Sequence, residues 1–440
     1  MKCNKICLGL FLAAALLLTG CGMQTVDMMY CLPRRSDVYE KLQTVMDGYM
    51  DGLQYSAPTS GENQQTVQMA DLDGDGREEY LLFAKGSAEN PMRILIFRQV
   101  EDSFAHMTTI ESQGTSFEHV EYVDMDGSPG LEIVVGRKLS DQVMGAVSVY
   151  TLSGGEAEQL MSSGYAKFLC SDLDSDGKSE LLILSAAADN SGNGVAVLYD
   201  YSGGQMERSP EVNLSEPADC IKRIMAGKIH GGIPAVYVAS SADGSAIVTD
   251  IFAVKKDVFT NISFSNESGT SVKTLRNYYV YADDIDNDGI LELPSLITMK
   301  TGENARSSQK QYLIRWFSMD LEGNEVDKLY TFHDYASGWY LELDDEWATR
   351  LWVSQEEGAW VFRIWEESLE NSEEVFRIFA LTGANRDAAA VEYNRFVLHR
   401  TDNVVYAAKL EASSAAWCIT EEELISAFRL IVIDWQTGET

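Results

Sequence analysis

Cations and histidines are scarce in this 440-residue sequence. Its 34 lysines and arginines face 68 aspartates and glutamates, and the five histidines, His106, His119, His230, His333 and His399, lie far apart. A formal charge of −34 argues against a nucleic-acid partner or direct adsorption to an anionic membrane. The histidines have no HExxH spacing, and the seven cysteines form no CxxC or Cys/His cluster, so nothing suggests zinc. There is no GxSxG, and no glycine-rich phosphate loop follows a strand. His333 and Asp334 are adjacent, so on a strand they point to opposite faces and form no acid/base couple. These absences lead us to expect a chain that is not an enzyme. A carboxylate-pair glycosidase is the form hardest to exclude, because acids are abundant and sequence does not give their separation.

Long apolar runs are also lacking. Lys2 and Lys5 precede a 13-residue run, Ile6 to Leu18, too short to span a bilayer. With Leu18-Thr19-Gly20-Cys21 behind it, this predicts a secretory signal over residues 1–20 and a lipobox whose Cys21 carries a diacylglycerol. The expected address is the extracellular face of the cell membrane, held by that lipid. Losing Lys2 and Lys5 takes the charge from −34 to −36. Cys3 and Cys7 leave with the signal. Cys31, Cys170, Cys220 and Cys418 are too few and too dispersed for a disulfide framework and are expected as buried free thiols.

What is present in excess, acid, is placed with a pattern. Asp71, Asp73, Asp75 and Glu79 stand at offsets 0, 2, 4 and 8, and so do Asp172, Asp174, Asp176 and Glu180, and Asp284, Asp286, Asp288 and Glu292. A fourth segment has Asp124, Asp126, Ser128 and Glu132, with Ser128 and Pro129 where the others carry Asp and Gly. Oxygen side chains at alternating positions of a tight loop suit a hard cation, and calcium is the natural candidate, in three to four sites. The candidate ligand sets also take in Arg77, Lys178 and Ile290 at position 7. An EF-hand is excluded, because position 12 is Leu82, Val135, Ile183 or Ser295 and none can chelate. After each closing Glu comes a short apolar stretch of strand type, such as Leu181-Leu-Ile-Leu184. Packing several carboxylates together is unfavourable unless a cation neutralises them, which makes plain acidic turns the weaker reading of four like segments.

The spacing from Asp71 to Asp124 is 53 residues, from Asp124 to Asp172 is 48 and from Asp172 to Asp284 is 112, about two units. The missing member aligns at Met225-Ala-Gly-Lys-Ile-His-Gly-Gly-Ile-Pro-Ala235, where every acid is replaced. Each unit reads as four strands, the content of one β-propeller blade. The expected fold is therefore mainly β: a propeller of about five four-stranded blades over residues 61–330, with Asp-rich calcium loops.

These segments resemble FG-GAP/VCBS repeats, the calcium-loop blades of integrin-α-like and bacterial surface proteins. With the lipobox, the whole is similar to VCBS-repeat lipoproteins of clostridia-like Gram-positive bacteria. The resemblance implies a calcium-stabilised extracellular propeller and supplies no ligand.

Residues 21–35 read as a lipid-anchored tether, and 36–60 as a helix and lead-in, with Val38, Leu42, Val45, Met46 and Tyr49 on one face after an N-cap at Ser36. Residues 331–440 read as a small α+β domain, loosely similar to the PsbP/Mog1-like fold. It has aromatic strands and a final helix that begins at the capping box Thr420-x-x-Glu423 and carries Leu424, Phe428, Ile431 and Trp435. The functional expectation is a cell-surface binding or adhesion module for an extracellular protein or glycan. The alternative is a non-catalytic structural or accessory envelope lipoprotein, and a surface glycoside hydrolase ranks below both.

Overall fold

The computed structural model describes residues 37–140, 145–188, 192–242, 246–277, 280–300, 311–365 and 368–431. The signal, the tether, the Ser36 N-cap, Cys31, Trp435 and the lipidation of Cys21 lie outside these residues.

The chain is mainly β, and the described residues form six antiparallel sheets. The second sheet, Ser116–Val123, Glu132–Lys138, Gly145–Ser153 and Glu156–Tyr165, is a plain meander. So is the fourth, Ile221–Ile229, Ile233–Ser241, Ile247–Lys255 and Val258–Asn261. The first and third keep the same four-strand run and add one short strand each.

Each sheet packs on the next. Phe83 and Ile94 of the first meet Phe117 and Val135 of the second. Val134 and Val149 of the second meet Leu181 and Ile183 of the third, and Leu184 and Leu198 of the third meet Val236 and Phe252 of the fourth. Ile251 of the fourth meets Phe317 of the fifth, and Trp339 of the fifth meets Phe362 and Phe376 of the sixth. The strand Glu79–Lys85 has the second sheet against one face and the helix Asp37–Asp47 against the other, and so no solvent side. Leu81, Leu82, Phe83 and Ala84 are accordingly all 0 % exposed, and the sequence there is a continuous apolar run instead of an alternating one. Truncating such a side chain, Phe83→Ala for example, costs about 3–5 kcal/mol.

At the N-terminal end the helix Asp37–Asp47 buries Leu42 and Met46 against Leu95, Phe97 and Phe104 of the first sheet. Val38 and Tyr49, expected on the same buried face, are exposed.

The C-terminal region differs from its expected layout. Residue 330 falls inside the strand Glu325–Asp334, and the fifth sheet continues into Trp339–Leu343 and Phe428–Leu430. The capping box is present, but the helix it starts spans only Glu421–Ala427. Phe428 is extended and pairs with Leu341, because a sheet edge there offers its backbone partners that a further helical turn would forgo. Of the thiols expected to be buried, Cys170 and Cys220 are half-buried and Cys418 is exposed, in a left-handed residue at the end of a short 3-10 turn.

Candidate metal centres

The four acidic segments fold as one kind of loop, each joining the first strand of a sheet, or its equivalent at Val280–Asp283, to the next strand. In each loop one or two main-chain N–H groups from positions 4 to 6 turn inward to the first Asp. Gly74 and Gly76 donate to the two oxygens of Asp71 at 2.9 and 3.0 Å, and Asp288 and Gly289 donate to those of Asp284 at 2.9 and 2.8 Å. This winding needs left-handed backbone at position 4, found at Gly74, Gly127, Ser175 and Asn287, and at position 6, found at Gly76, Gly177 and Gly289. In the second loop position 6 is Pro129, which has neither a positive φ nor an N–H, so among the described residues the Asp124 carboxylate receives the Gly127 bond alone.

The closing glutamate is the most buried member. Glu79, Glu132, Glu180 and Glu292 are 2, 1, 1 and 0 % exposed. One carboxylate oxygen of each accepts the N–H of position 2, from Leu72, Met125, Leu173 and Ile285, at 2.9, 2.9, 2.7 and 3.2 Å. Those four position-2 side chains are core residues, no more than 4 % exposed. Sequence reasoning passed over them, although the apolar residue between the first two acids was there to be seen in all four segments.

Three clusters bring together Asp71, Asp73 and Glu79; Asp124, Asp126 and Glu132; and Asp284, Asp286 and Glu292. The fourth has four members, Asp172, Asp174, Asp176 and Glu180, and within each cluster the ligand atoms lie within 4.8 Å of one another. Each cluster could hold a metal ion. Asp75, Asp288 and Ser128, all at position 5, stand outside these sets.

Position 7 is not where the side-chain oxygens converge. Arg77 and Lys178 have no acceptor to offer in their side chains. Their cationic ends instead lie 2.6 Å from Asp75 and 2.7 Å from Asp176, and the main-chain N–H groups of Arg77, Lys178 and Ile290 donate to the position-5 carboxylate at 2.8 to 2.9 Å. In the loop Asp284–Glu292 the cation comes from another strand: Lys328 pairs with Asp286 and Asp288. That lysine carried no signal in the sequence, because it lies 40 residues from Asp288.

The electrostatics favour a bound cation. Burial pushes all four glutamates up from the ordinary carboxylate value, Glu180 to about 7 and Glu292 to about 8. Asp172 Oδ1, Glu180 Oε1 and Glu292 Oε1 are buried and have no hydrogen-bond donor among the described residues. A buried carboxylate oxygen with no partner is costly, and a hard cation relieves that cost, so the residues present fit such an ion. In the second cluster Glu132 Oε1 already accepts from Thr151 at 3.1 Å, leaving less unmet demand there.

The loops also touch one another. The N–H of position 8 in the second loop, Leu131, donates to the carbonyl of Asp71 at 3.1 Å, and its counterpart Ser179 donates to that of Asp124 at 2.8 Å. Leu291 donates to Lys228 in the acid-free loop at 2.9 Å. The equivalent residue of that acid-free loop is Pro234, which has no N–H to give.

No family model matches this chain, and no curated protein matches it. Among solved structures it is similar to an exotype rhamnogalacturonan lyase at 13 % identity and a TM-score of 0.33, over 74 % of this chain and 65 % of that one. A Bacillus licheniformis rhamnogalacturonan lyase is 14 % identical with a TM-score of 0.29, over 74 % of this chain and 72 % of that one. A protein from Lactobacillus plantarum is 9 % identical with a TM-score of 0.27, over 72 % and 86 %. The chain thus spans about two thirds of the length of the first of these. The sequence-based expectation that the chain is not an enzyme is corrected by these lyase neighbours. At such TM-scores the likeness assigns no activity to this chain either.

Proposed function

We propose that this chain is a lipid-anchored, calcium-stabilised binding module of the cell surface, a propeller of FG-GAP/VCBS type whose blades are the successive sheets. The observation that carries the reading is the buried glutamate at the end of every acidic loop, with one oxygen on the position-2 N–H and, in two loops, the other lacking any donor. A site built this way is complete only with a cation in it. Asp71, Asp73 and Glu79, with their counterparts in the other three loops, hold the ion, and the position-8 hydrogen bonds pass its effect to the neighbouring sheet. Cys21 supplies the anchor. Calcium outside cells is at the level that extracellular modules bind, with dissociation constants on the order of 0.1 to 1 mM, so the loops are filled permanently and the ion acts as a structural part.

The test is a calcium titration of the full chain read by thermal melting. Ligand that binds the native state alone must raise the melting temperature. We expect a rise that EDTA reverses and that magnesium, which demands tighter octahedral geometry, does not reproduce. Equal melting in EDTA and in millimolar calcium overturns the reading.

A further inference from the structure

Away from the acidic loops, the first strands of the second, third and fourth sheets line one polar cleft of about 930 Å3. Segment 59–64 closes one side of it. Thr59 and Ser60 donate their N–H groups to the Glu118 carbonyl at 3.1 and 2.8 Å, which leaves that stretch of the edge closed to a further strand. Two of the three strands carry a β-bulge at the cleft. The register steps from Phe117 opposite Arg137 to His119 opposite Gly136, leaving Glu118 as the extra residue. It steps in the same way from Ile221 to Arg223 in the fourth sheet, leaving Lys222. A bulge re-aims a side chain and is a device of binding sites, and here both extra residues line the cleft.

The groups gathered there are of two kinds. Glu118 accepts from the Tyr165 hydroxyl at 2.6 Å, and Glu121 lies 2.6 Å from His119 Nε2. The His119 ring meets Phe168 edge-on at 5.3 Å, and Gly61 at φ +79° leaves room for that ring. The other kind is cationic. Lys167, Lys222 and Arg223 line the cleft of a protein with a charge of −34, and among the described residues neither lysine has a carboxylate within salt-bridge distance.

We propose that this cleft binds a carboxylated oligosaccharide, its acid group held by Lys222 and Lys167 and its hydroxyls by Glu118, His119 and Glu121. Oriented carboxylates and an imidazole suit the many hydroxyls of a sugar, and the unpaired lysines suit an anion. The cleft volume suits a ligand of a few sugar rings. An acidic peptide is the less favoured occupant, because segment 59–64 already takes the neighbouring strand edge that an added strand would use. The inference rests on the reading of the chain as a binding module and gives that module its site.

The experiment is calorimetric titration of the calcium-loaded full chain with a hyaluronan tetrasaccharide, its neutral carboxyl methyl ester and a tetraglutamate peptide. The acid should bind about ten-fold more tightly than the ester. A Lys167→Met/Lys222→Met double variant should lose about five-fold or more of that affinity while keeping its melting temperature and its ester binding. Equal affinity for acid and ester, unchanged affinity in the double variant, or binding of the peptide alone overturns the proposal. A calcium-dependent melt without sugar binding overturns this site only. Sugar binding without a calcium-dependent melt overturns only the calcium reading.

Discussion

The ammonium of Lys328 lies 3.1 Å from an oxygen of Asp286 and also pairs with Asp288. Lys328 is the extra residue of a β-bulge, between Leu329 opposite Trp316 and Asp327 opposite Phe317, and the bulge carries its side chain to the acidic loop. A tethered cation thus covers the charge that a metal ion would neutralise. Lys328→Met should lower the melting temperature in EDTA and raise calcium affinity at this loop by a few fold, for a change of about 1 kcal/mol or less at these half-exposed groups. Calcium isotherms of the variant and wild type check this, and equal affinities refute it.

Glu180 should behave in opposite ways with and without the ion. The carboxylate is 1 % exposed, accepts the Leu173 N–H with one oxygen and has no donor on the other among the described residues. Glu180→Gln keeps an acceptor for Leu173 and removes the uncompensated charge, so in EDTA it should melt no lower than wild type. In millimolar calcium it should melt lower, because an amide oxygen is a weaker ligand than a carboxylate for a hard cation. The same ordering of the two proteins in both buffers contradicts the assignment of Glu180 as a ligand.

Asp250 should matter equally in both buffers. It is 0 % exposed and accepts from Ser215 N at 2.8 Å, Ser215 Oγ at 2.7 Å, Asn261 Nδ2 at 2.9 Å and Ser271 Oγ at 2.6 Å. The bonds tie the third strand of the fourth sheet to the segments before and after it. Asp250→Ala leaves four donors without their acceptor and should cost about 3 kcal/mol or more in urea unfolding. Dependence of that loss on calcium would tell against a purely structural role.

His333 sets an acid limit on the fifth sheet. Burial holds its imidazole at about 3, below the ordinary 6.5, while its Nε2 lies 2.9 Å from Thr331 Oγ1 and its ring stacks on Tyr340. A histidine depressed on folding takes up its proton more readily when unfolded. Its stabilisation is therefore present above pH 6.5 and is lost as the pH falls toward 3. His333→Gln should flatten the fall in melting temperature between pH 7 and pH 4, and parallel profiles for the two proteins would contradict this.

The acidic loops were legible because their chemistry is local. Asp71, Asp73, Asp75 and Glu79 lie within nine residues, the turn needs Gly74 and Gly76 in place, and the strand after Glu79 is apolar on both faces. The acid-free loop at Gly227 was found through its flanks, because Met225-Ala226 before it repeats Met69-Ala70 and an apolar stretch follows it as one follows Glu79. Phe428 was misplaced in a helix because its periodicity suits either state, and its pairing with Leu341 is 87 residues away in sequence. The exposure of Cys418 and the alignment of Glu118 with Lys222 were out of reach for the same reason.

The amino-acid order by itself determined the repeat, the turn geometry and the set of acids, because each depends on residues within one loop and on backbone preferences that no distant contact needs to supply. Tertiary structure decided which carboxylates lack a donor, where Lys328 goes, and which strand edges meet at the cleft. Those outcomes depend on desolvation and on contacts between separate sheets, and both come into being only when the chain has folded.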